Sequence, residues 1–337
     1  MTTGVDTGKY AMLADEGIRR FMAESDALNP PGAVNLTMAQ QRAFYDKLCA
    51  HFRRPRPAGL DVRDLAVEGP GGAVPIRLYR PAVREPLPVL LYSHGGGYVL
   101  GGLDSHDDIC AEIASGAGVV VVAVDYRLAP EHRFPAAFED CRAAQAWVIA
   151  AGSGHGIDPA RLVIGGDSAG GNLTAALALD ARDQGGPALA GQVLIYPGLG
   201  GDRRRGSYVE RANAPGLSTA DTEYYRSVYI GPPDDPGHAS KLAHPLLETD
   251  YRGLPPAFLV AAEWDPVRDD CFVYAERLRA AGIPASVRHE PLLVHAFLRA
   301  RHMSRPAADS FAAIVAAVRS LAYRGLLPEQ KEVDRAG

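Results

Sequence analysis

The chain has 337 residues, 47% hydrophobic and 22% charged, which is globular composition for one large α/β domain, or one domain with a lid, and excludes a disordered chain or a membrane bundle. Its 35 Lys and Arg against 40 Asp and Glu leave a net charge of −5, so neither a broad nucleic-acid groove nor an anionic-membrane face is expected. Cys49, Cys110, Cys141 and Cys271 form no CxxC pair and read as reduced, mostly buried thiols, which excludes a zinc ribbon or a thioredoxin-type site.

The first residues carry Asp6, Lys9, Asp15 and Glu16 and no apolar leader, and no apolar run is long enough to span a bilayer. A cytoplasmic protein is therefore expected. An amphipathic stretch covers residues 38–52. Residues 60–68 and 74–80 read as two strands around the turn at 69–72. Residues 88–93 (PVLLYS) and 118–125 (GVVVVAVD) are apolar on both faces, as strands of a helix-covered parallel sheet are. Residues 161–165, 192–196, 257–262 and 285–290 continue the strand series. Helical stretches fall between them at 105–115, 136–151, 169–181 and 267–281, and a last helix covers 305–323. Alternation of this kind predicts a doubly wound α/β sheet.

Two regions break the alternation. Residues 1–57 precede the first strand. Residues 199–250 interrupt the series with Pro215, Gly216, Pro232, Pro233 and Pro236 and a helical stretch at 219–229. An insertion of that length in an α/β domain is usually a cap over the site. The division expected is thus an N-terminal cap part at 1–57, a catalytic domain at 58–198 and 251–325, a cap insertion at 199–250, and a tail at 326–337. The run Arg203–Arg205 reads as a solvated loop.

Three sequence features carry chemistry. Gly166-Asp167-Ser168-Ala169-Gly170 is a G-x-S-x-G placed between a strand and a helix, where a nucleophilic serine sits on a strained turn with small neighbours. Alone the pattern would arise by chance in about one such sequence in six; the strand before it and the helix after it raise its weight. His94-Gly95-Gly96-Gly97 ends the strand at 88–93 and would arise by chance in about one sequence in a hundred. Its bare backbone puts the N–H groups of Gly95 and Gly96 in reach of a developing oxyanion, with the N–H of Ala169 as a third donor. GGGYVLGG is neither G-x-G-x-x-G nor a P-loop, so a nucleotide cradle is disfavoured. His94 reads as a loop-fixing residue. The acid and base should follow the serine. Asp265 ends the strand-like 257–264, while Asp269 and Asp270 lie a helical turn on and read as solvated or capping. Of the downstream histidines, His289 falls within a strand and His302 opens the last helix. His295, in the loop after the strand at 285–290, is the expected base. No metal-ligand spacing occurs and no cofactor is expected.

These motifs, with Asp125-Tyr126-Arg127-Leu128-Ala129-Pro130-Glu131, Gly171-Asn172 and Asp265-Pro266-Val267-Arg268-Asp269, resemble those of the hormone-sensitive-lipase-like esterases, bacterial family IV. The resemblance covers residues 60–323. It implies the α/β-hydrolase fold, with an eight-stranded, mostly parallel sheet, helices on both faces and a helical cap. It implies ester hydrolysis without cofactor, with Ser168 as nucleophile, Asp265 as acid, His295 as base, and Gly95, Gly96 and Ala169 as oxyanion donors. Residues 126–131 are then a structural turn with ion pairs. The family usually has Gly after the catalytic His; here it is Ala296, a change expected to alter only loop geometry. Short- to medium-chain esters are the expected substrates. The other readings are an amidase or lactonase with the same triad, and a non-catalytic binding module on this fold. Association of two copies through the last sheet strand is also expected, since an unpaired edge invites pairing.

Overall fold

The computed structural model describes residues 6–28 and 36–328; residues 1–5 and 29–35 of the expected N-terminal cap part and 329–337 of the expected tail lie outside these. Eight strands form one sheet in the order β1-β2-β4-β3-β5-β6-β7-β8. They are β1 (Leu60–Gly69), β2 (Gly72–Pro81), β3 (Leu87–Ser93), β4 (Val120–Val124), β5 (Ile157–Asp167), β6 (Gly191–Ile195), β7 (Ala257–Trp264) and β8 (Ala285–Val294). β1 and β2 form an antiparallel hairpin, β2 runs antiparallel to β4, and the pairs from β4 through β3 to β8 are parallel. The mixed eight-stranded sheet matches the expectation.

The central strands are apolar on both faces because both are covered. Val89 and Leu91 of β3 pack into one core, Leu90 and Tyr92 into the other. Helices α4 (Ala136–Ala151), α5 (Ala169–Asp183) and α8 (Arg268–Ala280) contribute to the first core. Helices α3 (Asp107–Ala117) and α9 (Arg305–Arg324) contribute to the second. The last helix starts at Arg305, so His302 precedes it in a turn and bonds Glu112 at 2.8 Å.

Ahead of the sheet lie α1 (Glu16–Leu28) and α2 (Met38–Phe52). The α2 stretch coincides with the predicted amphipathic one, and Thr37 and Gln40 close a capping box at its start. Helix α1 was not foreseen, although Ile18, Phe21, Met22 and Ser25 line up at helical spacing and are buried. Arg42 of α2 ties this segment to the body through Glu131, at 2.6 Å, and the carbonyls of Val99 and Ala129, both at 2.9 Å. Arg127 makes a bidentate pair with the buried Asp140. The turn at 126–131 is thus held by ion pairs. The insertion carries the short α6 (Ser207–Glu210) and α7 (Thr219–Ile230), the latter capped by Ser218. No described helix is long and apolar enough to cross a membrane. All four cysteines are free and buried.

Candidate active site

Four parallel strands, β3, β5, β7 and β8, end at the same edge of the sheet, where ligands of open α/β sheets bind. Their following residues meet there. Ser168 follows β5 and opens α5 with φ 54° and ψ −119°, an unfavourable conformation for a side-chain-bearing residue. The sharpness of this turn explains its glycines. A Cβ on Gly170 would fall 1.9 Å from the Ser93 carbonyl oxygen, and one on Gly166 2.4 Å from the same atom.

The serine hydroxyl donates to His295 Nε2 at 2.8 Å, and His295 Nδ1 donates to Asp265 Oδ2 at 2.6 Å. Asp265 is fully buried, and its other oxygen accepts the Val267 N–H at 3.0 Å. The structure therefore brings Ser168, His295 and Asp265 into one hydrogen-bonded chain, although 127 residues separate the first two. β8 runs on through Pro291 to Val294, so His295 directly follows the strand. Its neighbour Ala296 adopts φ 61°, a left-handed position that glycine takes without strain. His289 points away and pairs with Glu263 at 2.7 Å.

The expectation for Gly95 is corrected. Its N–H donates to Asp167 Oδ1 at 2.9 Å, and Gly95 is not on the wall of the cavity beside Ser168. An amide committed to a buried carboxylate is not free for an oxyanion. Gly96, Gly97 and Ala169 do line that cavity. No backbone partner is found for the N–H groups of Gly96 or Gly97 among the described residues. The left-handed φ of 63° at Gly97, with the Tyr225 ring 2.5 Å from where a Cβ would stand, makes that position a glycine site.

Asp167 is the polar hub beneath the loop. It accepts from Tyr92 Oη at 2.8 Å and Tyr196 Oη at 3.4 Å, and His106 Nε2 lies 3.3 Å from its second oxygen. Burial alone would raise its pKa; the facing His106 and the hydroxyl bonds outweigh that and hold it well below the usual carboxylate range. His94 is buried, donates from Nδ1 to the Gly95 carbonyl at 2.8 Å, and stacks on Tyr126 at 4.2 Å. Burial, then the neighbouring His106, pushes His94 down to about 3, so it stays neutral. It fixes the loop, as expected from its place in the motif.

Two further expectations change. Asp270 is not solvated: it is buried and accepts the Leu199 N–H at 2.6 Å and the Tyr208 hydroxyl at 3.0 Å, anchoring the start of the insertion. Burial raises it to about 6. Arg204 and Arg205 are exposed, but Arg203 turns inward, pairs with Glu223 and lines the cavity. Arg299, unmarked in the sequence, is buried beside the cavity and donates to Tyr45 Oη and the Ser105 carbonyl, both at 2.8 Å.

The cavity measures about 450 Å³ and is walled by Ser168 and His295, the glycine loop, Phe21, Met22, Phe44 and Tyr45 of the N-terminal helices, and Tyr225 and Tyr229 of α7. A serine, an imidazole and a carboxylate at the strand ends of such a sheet define a hydrolase of the α/β type. The model of the α/β-hydrolase fold family matches residues 90–299, and the chain belongs to that family, within its hormone-sensitive-lipase-like branch of carboxylesterases. It is 40% identical over 286 residues to esterase LipI of Mycobacterium tuberculosis, covering 82% of this chain and 83% of that one. It is 38% identical over 255 residues to the ethyl acetate hydrolase of Pseudomonas putida, covering 74% and 79%. Among solved structures, an ester hydrolase from the metagenome of Lake Arreo, complexed with a bipyridine phosphonate derivative, aligns with a TM-score of 0.85 at 34% identity, covering 90% of this chain and 98% of that one. The protein is a carboxylic ester hydrolase.

Proposed function

We propose that this carboxylesterase cleaves short- to medium-chain esters through an acyl-enzyme on Ser168. The observation that carries the reading is the hydrogen-bonded chain from Ser168 through His295 to the buried Asp265, opening on a bounded cavity. His295 takes the Ser168 proton as the oxygen attacks the ester carbonyl. Asp265 orients the ring and stabilises its charged form. The N–H groups of Gly96, Gly97 and Ala169 hold the oxyanion. The proton passes from His295 to the leaving alcohol, and water, activated by the same imidazole, releases the acid. The cycle uses no metal and no cofactor.

Helices α1 and α2 and the insertion at 199–250 act as the cap, since both supply walls of the cavity. Its limited volume, and the ethyl acetate named for the relative from Pseudomonas putida, support small substrates over long triglycerides. Four free, buried thiols suit the reducing cytoplasm. Among the described residues β8 pairs with β7 alone, and its free edge is where two copies would join. Sedimentation at micromolar concentration should show a dimer; a monomer alone would contradict that contact.

A serine-directed organophosphonate should titrate one site per chain in the parent and none in Ser168→Ala. Ester turnover should fall by about 10³–10⁶ in that variant. A folded Ser168→Ala protein with parental activity would overturn the assignment. Amidase or lactonase chemistry with the same triad is separated by a panel of esters, amides and lactones.

A further inference from the structure

The glycine loop beside Ser168 carries strain that its own sequence does not relieve. Three consecutive residues take left-handed backbone angles: Gly96 at φ 129°, Gly97 at 63° and Tyr98 at 64°. Glycine adopts such angles freely, so the first two positions are met without a steric penalty. Tyr98 has a Cβ, and a bulky residue in that region persists only where its surroundings over-determine it. Within the loop, the N–H groups of Val99 and Leu100 both bond the Gly96 carbonyl, at 3.1 and 2.9 Å, and the Tyr98 carbonyl accepts the Ala129 N–H at 2.9 Å. These backbone bonds close the turn; the Tyr98 side chain is held by a different element.

That element is α7 of the insertion. Tyr229, near its end, stacks on Tyr98 with ring centroids 3.7 Å apart and planes 4° apart. Tyr225, four residues earlier and so on the same helix face, lies against Gly97, where a Cβ would stand 2.5 Å from the ring. The two rings therefore cover two consecutive residues of the loop. Tyr229 is itself fixed. It is 1% exposed, its carbonyl accepts the Phe134 N–H at 2.8 Å, and the Phe134 ring meets it edge-on at 5.8 Å. The start of α7 is anchored as well: the Thr219 N–H bonds the Ala212 carbonyl at 2.9 Å, and the Thr219 hydroxyl bonds the Tyr208 carbonyl at 2.6 Å.

The Tyr229 hydroxyl is buried and finds no hydrogen-bond partner among the described residues. An unpaired buried hydroxyl costs free energy, so what this position contributes is its ring and not its polar end. Two other ties flank the same stretch. Asp167 holds the loop at the Gly95 N–H, and Arg42 holds it at the Val99 carbonyl, both at 2.9 Å. The α7 rings press on the residues between these ties, which include the unpartnered N–H groups of Gly96 and Gly97.

We propose that Tyr225 and Tyr229 are positioning residues of the oxyanion hole: their rings clamp Gly97 and Tyr98 and so aim the N–H groups of Gly96 and Gly97. The insertion is then part of the apparatus that stabilises the oxyanion, and not only a wall of the cavity. The inference deepens the esterase reading above and rests on Gly96 and Gly97 as donors. Formation and breakdown of the acyl-enzyme both pass through an oxyanion, so a loosened hole lowers kcat, whereas a lost cavity wall raises KM.

The test is turnover of p-nitrophenyl acetate per site titrated with the organophosphonate. Tyr229→Leu should lower kcat about tenfold with KM within about twofold, since a loosened donor costs less than the roughly 10²–10³ of a deleted one. Tyr229→Phe keeps the ring and drops the unpaired hydroxyl, and should restore kcat to within about twofold of the parent. Tyr98→Ala should lower kcat as Tyr229→Leu does, and the double variant should be no slower than either single one, because the same contact is lost once. A second ratio reads the hole itself. Sulfur accepts hydrogen bonds more weakly than oxygen, so kcat/KM for p-nitrophenyl acetate over O-p-nitrophenyl thionoacetate should fall in Tyr229→Leu and return in Tyr229→Phe. An unchanged kcat in Tyr229→Leu or in Tyr98→Ala, a rise in KM alone, or losses that multiply in the double variant would overturn the proposal. Parental turnover surviving in Ser168→Ala would reject the esterase reading, and the proposal with it.

Discussion

Asp167→Ala tests whether the carboxylate beside the nucleophile organises the glycine loop. In the parent it accepts short bonds from Tyr92 and the Gly95 N–H, at 2.8 and 2.9 Å, and longer ones from Tyr196 and His106. Truncation leaves these donors buried and unpaired. At roughly 1–3 kcal/mol for each of the two short bonds, the loss is about 4 kcal/mol. That corresponds to a fall in melting temperature of about 8 °C at ~2 °C per kcal/mol. Gly95 loses its tether, and the adjoining N–H groups of Gly96 and Gly97 lose their fixed aim. Removing one oxyanion donor costs about 10²–10³ in kcat; a loosened loop should cost about 10–100-fold in kcat with little change in KM. Asp167→Asn keeps one acceptor oxygen and should lose less of both. Because the folded pKa of Asp167 is lowered, its stabilisation is present above pH ~4 and is lost as pH falls. Asp167→Asn should therefore unfold less steeply in acid. The assays are denaturant unfolding across pH and steady-state kinetics on p-nitrophenyl acetate. An Asp167→Ala protein within about 1 kcal/mol of the parent, with unchanged kcat, would refute the reasoning.

His295→Ala should lower kcat/KM by about 10³-fold or more, whereas His289→Ala, which removes only an exposed pair with Glu263, should stay within about twofold; the reverse order would move the base. Ala296→Gly should relieve the left-handed strain at φ 61° and raise urea stability by roughly 0.5–1 kcal/mol, and a loss of stability would show that the Ala296 methyl is needed for packing. Burial, then Asp104, raises Asp125 to about 6. The folded state thus holds the proton more tightly than the unfolded one, and stability falls as pH rises from about 4 to 6. Asp125→Asn should remove this fall and exceed the parent at about pH 8 by about 1–2 kcal/mol, with a smaller gain near pH 4; equal gains at both would contradict the cause.

Local chemistry made much of this protein legible from its sequence. Strands such as 88–93 and 118–125 are apolar on both faces, which only a covered parallel sheet permits. The turn at Ser168 needs small residues beside it, because the Ser93 carbonyl leaves no space for side chains, and that need is written in neighbouring positions. The order serine, aspartate, histidine needs no distances to be read. Tertiary structure decided what depends on remote partners. Whether the Gly95 N–H is free depends on Asp167, 72 residues away, so the motif alone misassigned it. Arg203 looked like its solvated neighbours until Glu223 drew it inward, and Asp270 looked like a helix-start acid until the backbone of Leu199 closed over it. Helical spacing in 16–28 was present, but its burial came only from packing against the distant rest of the chain. A residue's type and periodicity are local and travel with the sequence. The partner of a buried N–H, carboxylate or guanidinium is set by which strands and loops converge, and that is a property of the fold.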